Sequence, residues 1–281
     1  LLSRRQRQMC IRDSINTGDY MKIRLGYACI TNCLDSTSSS PYTYGEYLKY
    51  GDMEKLDRVI VSNLKSLEEI IYYNIKNNIH FYRMSSKIIP LATKSDVKFD
   101  YINKYKSYYD KIGKMISDYD MRVDFHPDQF CVLNSVKSDV VSASIDILKY
   151  HYSLLEALGI KNKILVLHVG SNSFGKDNSI RRFINNFNKL PKYLKECIAI
   201  ENDDKVFNVN DVLEISKNTG VPVILDYHHH LCNKSDFSFE DIFNSFNNKK
   251  VKMHFSSSKN KKDFRSHNDY INGDDLSLIH I

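Results

Sequence analysis

The chain contains no run of about 18 apolar residues, so nothing in it reads as a membrane-spanning helix. It also lacks the apolar centre of a secretory leader. Its six cysteines, Cys10, Cys29, Cys33, Cys131, Cys197 and Cys232, include no CxxC pair. They read as reduced thiols in a cytoplasmic protein rather than as a disulfide framework. Neither sign of charge dominates: 40 Lys+Arg against 34 Asp+Glu leaves a net +6. Such a mildly basic balance permits a nucleic-acid partner without demanding one. At 281 residues the chain can bury a substantial core, and α/β barrels of this size are usually single domains.

The two ends depart from this pattern. Residues 1–20 carry Arg4, Arg5, Arg7 and Arg12 with no amphipathic period, whereas Met21-Lys22-Ile23-Arg24-Leu25 opens a strand. We read 1–20 as an extraneous or disordered arm, Met21 as the natural start, and 21–281 as one C-terminally truncated domain.

The chain is organised around Pro222-Val223-Ile224-Leu225-Asp226-Tyr227-His228-His229-His230. An apolar run of strand length ends in a carboxylate, and three imidazoles follow. Alternation along the strand lets Asp226 point into a site, with His229 or His230 folding back onto it. Asp and His together suit Mn, Zn or Fe. The plainer alternative is a polar loop after a buried strand.

The same pattern recurs. Strand-like runs fall at 22–28, 79–84, 121–126, 163–169, 197–202, 222–227 and 250–256, separated by helical stretches at 54–76, 136–158, 178–195, 209–219 and 238–247. In the first of these, Leu56, Ile60, Leu64, Leu67, Ile71 and Ile75 form one face. Asp211 and Ser238 are candidate N-caps, and Gly220 a helix stop. Strands alternating with helices predict an α/β fold, a TIM (β/α)8-type barrel lacking its eighth strand. Ionisable residues gather where these strands end: His126, His168, Glu201, Asp226 and His254. Barrel active sites occupy that mouth, so five such ends in register point to a metal site rather than to packing.

Taken in order and spacing, the segments Arg24-Leu25-Gly26-Tyr27, Phe81-Tyr82-Arg83-Met84-Ser85-Ser86, His126-Pro127-Asp128-Gln129-Phe130, Leu167-His168-Val169-Gly170, Glu201-Asn202-Asp203-Asp204, Asp226-Tyr227-His228-His229-His230, Lys252-Met253-His254-Phe255-Ser256-Ser257 and His267 resemble the UV damage endonuclease family. That family is metal-dependent, acts in DNA excision repair and is related to endonuclease IV. The resemblance implies a TIM barrel with up to three divalent ions, Mn2+ foremost and Zn2+ or Mg2+ as alternatives. It implies His126, His168, Glu201, Asp226, His229, His254 and His267 as metal ligands, with Lys252, Glu201 and His229 catalytic. Lys252 matches a lysine that the family carries carboxylated; a salt-bridged lysine is the plainer alternative. Tyr27, Asn32, Arg83, Gln129 and Phe130 are implied as DNA- or lesion-binding, with Gln129 and Phe130 as the pair inserted into the duplex. Phe stands where the family has Tyr, keeping the stacking face and losing the hydroxyl. After His267 the sequence lacks the family's last glutamate ligand.

The expected activity is incision 5′ of cyclobutane pyrimidine dimers and 6-4 photoproducts in UV-damaged double-stranded DNA, by a monomer. Two alternatives stand beside it. One is a metal-dependent sugar isomerase or epimerase, which predicts a closed pocket without an exposed Gln–aromatic pair. The other is a damage-binding remnant impaired in catalysis. The loop Gly170-Ser171-Asn172-Ser173-Phe174-Gly175-Lys176 could offer amides to a phosphate, or simply connect strand to helix.

Overall fold

The structure, a computed structural model, describes residues 24–31, 33–247, 249–268, 270–273 and 275, and the backbone of 9–11. Most of the arm 1–20, and residues 276–281, lie outside the described residues. A short strand β1 (Met9–Ile11) precedes seven parallel strands: β2 (Leu25–Ala28), β3 (Phe81–Met84), β4 (Arg122–Phe125), β5 (Leu165–His168), β6 (Ile198–Glu201), β7 (Val223–Asp226) and β8 (Met253–Phe255). Helices α1 (Tyr44–Tyr50) and α2 (Met53–Lys76) follow β2, and α3 (Tyr101–Lys104) and α4 (Lys106–Asp118) follow β3. Then come α5 (Ser138–Ala157) after β4, α6 (Lys176–Asn188) and α7 (Lys192–Lys195) after β5, and α8 (Val209–Thr219) after β6. Last are α9 (Tyr227–Cys232) and α10 (Phe239–Ser245), after β7. The parallel strands neighbour one another in chain order, and β1 pairs antiparallel with both β2 and β8, closing the ring. This is the expected α/β barrel, with an antiparallel segment where an eighth parallel strand would stand.

Local chemistry explains the elements. Helix α2 buries Leu56, Ile60, Leu64, Leu67, Ile70 and Ile71 along one face, and the Asp52 side chain caps its start by accepting from Lys55 N. Ser238 caps α10, and Gly220 closes α8 in the left-handed region at φ 72°. Asp211 is not the cap of α8. Asn208 is, and Asp211 sits three residues on, returning a bond to the Asn208 backbone in a capping box. The single helix expected over 178–195 is two, because Pro191 supplies no amide donor and starts α7 instead. Helix α4 is an addition. Its buried face (Tyr109, Ile112, Gly113 and Ile116) is helical in spacing but sits in a tyrosine-rich stretch that reads equally as strand.

The barrel interior is partly ionic. Asp124 on β4 is fully buried, its Oδ2 in contact with Lys252 Nζ and its Oδ1 3.8 Å from Arg83 Nε. Lys252 Nζ also stands 4.7 Å over the Phe81 ring. Two cations buried around one carboxylate form a unit that tolerates the loss of no member.

Two stability measurements test this packing. A Cβ on Gly113 would meet the Leu158 carbonyl oxygen at 2.2 Å, whereas one on Gly45 in α1 meets nothing within 4 Å. Gly113→Ala should therefore lower the unfolding free energy by about 1–3 kcal/mol, while Gly45→Ala should raise it by about 0.5–1 kcal/mol. Urea denaturation reads both, and equal effects would contradict the α4–α5 contact. Asp124→Asn, which strands two buried cations, should cost about 3–5 kcal/mol. Asp110→Asn, which breaks only an exposed pair with Lys106, should cost under about 1 kcal/mol.

Candidate metal centre at the barrel mouth

Adjacent strands bring the ligand candidates together by register. His168 pairs with Glu201 across β5 and β6, and Asp226 pairs with His254 across β7 and β8. Glu201 is buried and central. Its Oε2 lies 3.0 Å from His126 Nε2 and 4.0 Å from His168 Nε2. Its Oε1 lies 2.6 Å from His254 Nδ1 and 4.0 Å from His229 Nδ1. Two triads of potential ligands share this one carboxylate: His126, His168 and Glu201, and Glu201, Asp226 and His254.

The turn after β7 settles which histidine folds back. Asp226 caps α9 directly, accepting from His229 N at 2.9 Å, so His229 stands on the Asp226 side with Nδ1 3.7 Å from Oδ2. His230 turns away and packs edge-on to Phe237. Asn202, fully buried, clamps Asp226 by donating to its carbonyl at 3.0 Å and accepting from its amide at 2.9 Å. His229 Nδ1 donates to the Asn202 carbonyl at 3.0 Å, which turns Nε2 outward. His267 joins from the loop after β8, its ring centroid 5.5 Å from that of His229 and its Nδ1 2.6 Å from Ser256 Oγ.

The electrostatics suit a cation. His126 Nδ1 donates to the Pro127 carbonyl at 3.0 Å, so in the neutral ring Nε2 turns a lone pair toward the Glu201 oxygen. Two acceptors facing each other need a proton or a metal between them. Burial opposes the Glu201 charge, but His254, His126 and His168 hold its carboxyl well below the usual range. Burial raises the Asp226 carboxyl, against the pull of His229 and with Glu201 adding to the rise. Burial also drives His254 well below its usual value. Imidazoles around desolvated carboxylates make a mixed N/O donor set that suits divalent cations. His254 is the most engaged member, since Arg83 Nη2 donates to its Nε2 at 2.5 Å.

The remaining expected residues separate into two groups. Gln129 and Phe130 are exposed, Phe130 at 69 %, on a turn in which Phe130 N donates to Asp128 Oδ1 at 3.0 Å. That excludes a core role for Phe130. Tyr27 is different: it is 1 % exposed, packs on Tyr82, and gives its hydroxyl to Asn74 Oδ1 at 2.8 Å, so it offers no free face to DNA. Arg83 and Lys252 lie inside the barrel beneath the cluster rather than on a DNA-facing surface. Asn32 lies outside the described residues. Sequence reasoning passed over Asp124 and Asn202. The signal for Asp124 was present, since it precedes His126 by two and shares its strand face. Asn202 acts through amide geometry that no spacing reveals.

The family described as UV-endonuclease UvdE matches residues 23–279. The UV DNA damage endonuclease of Bacillus cereus (strain B4264) is 36% identical over 270 residues, covering 92% of this chain and 84% of that protein. Its counterpart from Bacillus anthracis (strain A0248) shows the same identity and the same coverage. Among solved structures, the crystal structure of SacUVDE superposes with a TM-score of 0.72 at 38% identity, covering 78% of this chain and 74% of that one. With its barrel, its strand-end ligands and these relatives in agreement, the chain belongs to the UV-endonuclease UvdE family.

Proposed function

We propose that this chain is a metal-dependent endonuclease that nicks DNA on the 5′ side of UV photolesions, with cyclobutane pyrimidine dimers and 6-4 photoproducts as its substrates. The observation that carries the reading is the sharing of Glu201 between two groups of candidate ligands, His126, His168 and Glu201, and Glu201, Asp226 and His254, which would let one carboxylate serve both. His126 and His168 would hold one cation; Asp226, His254 and His229 would hold another; His267 stands at the edge for a third. Bound divalent cations, Mn2+ foremost, would neutralise the scissile phosphate, lower the pKa of the attacking water and stabilise the leaving oxygen.

The chain's own residues do the rest. Asn202 fixes the Asp226 backbone and the His229 ring, so the ligands stay in place without a reorganisation step. Arg83 and Lys252 supply buried positive charge under the site. Lys252 Nζ contacts Asp124, the carboxylate with which an ammonium there would pair. Gln129 and Phe130 fill the stack where a photodimer, poorly paired, leaves it at low cost. Their exposure disfavours a sugar isomerase, whose small substrate needs no wedge.

Two experiments test the reading. Mn2+ at about 100 times its dissociation constant should stabilise the chelator-treated protein by about 2.7 kcal/mol, and Glu201→Gln should lose most of that gain. Unchanged melting on Mn2+ addition would remove the metal centre. On a labelled irradiated duplex the protein should nick beside dimers with Mn2+ and stop with EDTA. His126→Ala and Glu201→Ala should abolish nicking and keep DNA binding. Binding without nicking by the unmodified chain would instead make it a damage-binding remnant.

A further inference from the structure

Phe174 is an exposed aromatic for which the preceding reading has no use. It lies in the loop after β5, six residues past His168, and is 77 % exposed. Its φ is +62°, a left-handed conformation that a bulky residue rarely adopts. A floppy tip would relax from that state. This loop does not. Asn134, fully buried, donates from Nδ2 to the Ser171 carbonyl at 2.7 Å and accepts from Ser171 N at 2.8 Å. Arg182 Nη2 donates to the Ser173 carbonyl at 2.5 Å, and Asn178 Nδ2 to the Phe174 carbonyl at 2.8 Å. The backbone is clamped on both sides of Phe174 while its ring is left in water.

The clamp also joins two loops. Asn134 belongs to the segment after β4, the one that carries Gln129 and Phe130. Gly170 sits against it at φ 110°, where a Cβ would meet Asn134 Oδ1 at 2.7 Å and Val132 Cγ1 at 2.8 Å. Arg182 Nε adds a bond to the Asn134 carbonyl at 2.8 Å, so α6 braces both segments. Below them His126 and His168 lie with ring centroids 5.0 Å apart. Two exposed phenylalanines therefore stand on consecutive, mutually bolted loops at the same side of the mouth. Backbone strain held by surrounding structure is a feature of ligand clamps. A ring with no polar atom, fixed in water, suits a flat apolar face rather than a hydrogen-bonding ligand.

We infer that Phe174 is a second aromatic contact to the damaged duplex, stacking on a nucleobase face that only a distorted helix exposes. The inference rests on the reading of the chain as a photolesion endonuclease. Phe130 fills the helix at the lesion, and Phe174 grips a neighbouring base, so discrimination against intact DNA comes from both. Stacking of this kind is sequence-tolerant because every base has a π-face.

The chain contains no tryptophan, which makes the test direct. Phe174→Trp installs a single indole, whose emission should be quenched on saturation with irradiated duplex and stay unchanged with intact duplex. Phe174→Ala should weaken binding of irradiated duplex about tenfold, raising KM more than it lowers kcat. Phe174→Tyr should restore binding and Phe174→Leu should not. Silent emission in Phe174→Trp, or wild-type affinity in Phe174→Ala, overturns the assignment. Phe130→Trp separates the levels. Quenching there with silence at 174 removes only the role of Phe174. If Phe130→Trp is also silent and no variant prefers irradiated duplex, the endonuclease reading falls with it.

Discussion

A single buried carboxylate carries the site. Glu201 lies at the end of β6 with imidazoles on both oxygens, His126 on one side and His254 on the other. A desolvated carboxylate is costly unless it is partnered, and here its partners come from three other strands. The arrangement exists only because the strands are in register. A shift of one residue on β6 would turn Glu201 outward and put Ile200 in its place, and a slip on β8 would do the same to His254. Barrel closure and ligand geometry are thus one constraint, and no loop rearrangement could substitute for it.

The charge is layered. Beneath the cluster, Asp124 is balanced by Lys252 and Arg83 inside the barrel. Arg83 reaches from that layer to His254, tying the ionic floor to the cluster above. The upper layer holds Glu201 and Asp226 among histidines: burial pushes His254 and His168 down, while His229, despite burial, is raised by Asp226 and Glu201. A protein that wanted only stability would fill this volume with Val, Ile and Leu, as the rest of the core does. Carboxylates and imidazoles gathered over a buried ionic layer suit a cation site better than they suit packing.

Much of this was legible before any coordinates. The strand ends pick out the clustered residues because a parallel barrel sends every strand terminus to one rim, and that rule needs only the alternation of strand and helix. Helix limits were less legible where local chemistry competes: Pro191 splits one helix, and Asn208 takes the cap expected of Asp211, because both residues suit a helix start and only backbone angles choose. The local sequence alone left His229 and His230 open for a related reason, and only the family resemblance pointed to His229. It depends on α9 beginning at Asp226 without an intervening loop, and six residues give too little period to announce a helix. Tyr27 shows the opposite failure. A motif match places it at the mouth, yet its aromatic bulk and its bond to Asn74 draw it inward.

Loop length links the chemistry to recognition. Phe130 follows His126 by four positions, and Phe174 follows His168 by six. At roughly 3.3–3.6 Å per extended residue, a four-residue link reaches at most about 14 Å from the ligand it starts at. The Asp128 turn shortens that reach, and the bonds through Asn134 remove most of its freedom. On the proposed reading, the distance between the inserted ring and the phosphate under attack is therefore set by covalent structure and not by flexible search. On the same reading, a wedge tethered so closely to the cation site would present only phosphates near the lesion. Cleavage at a constant offset would then need no base-specific contact: the strand-end residues would hold the cations, and two short braced loops would decide which phosphate meets them.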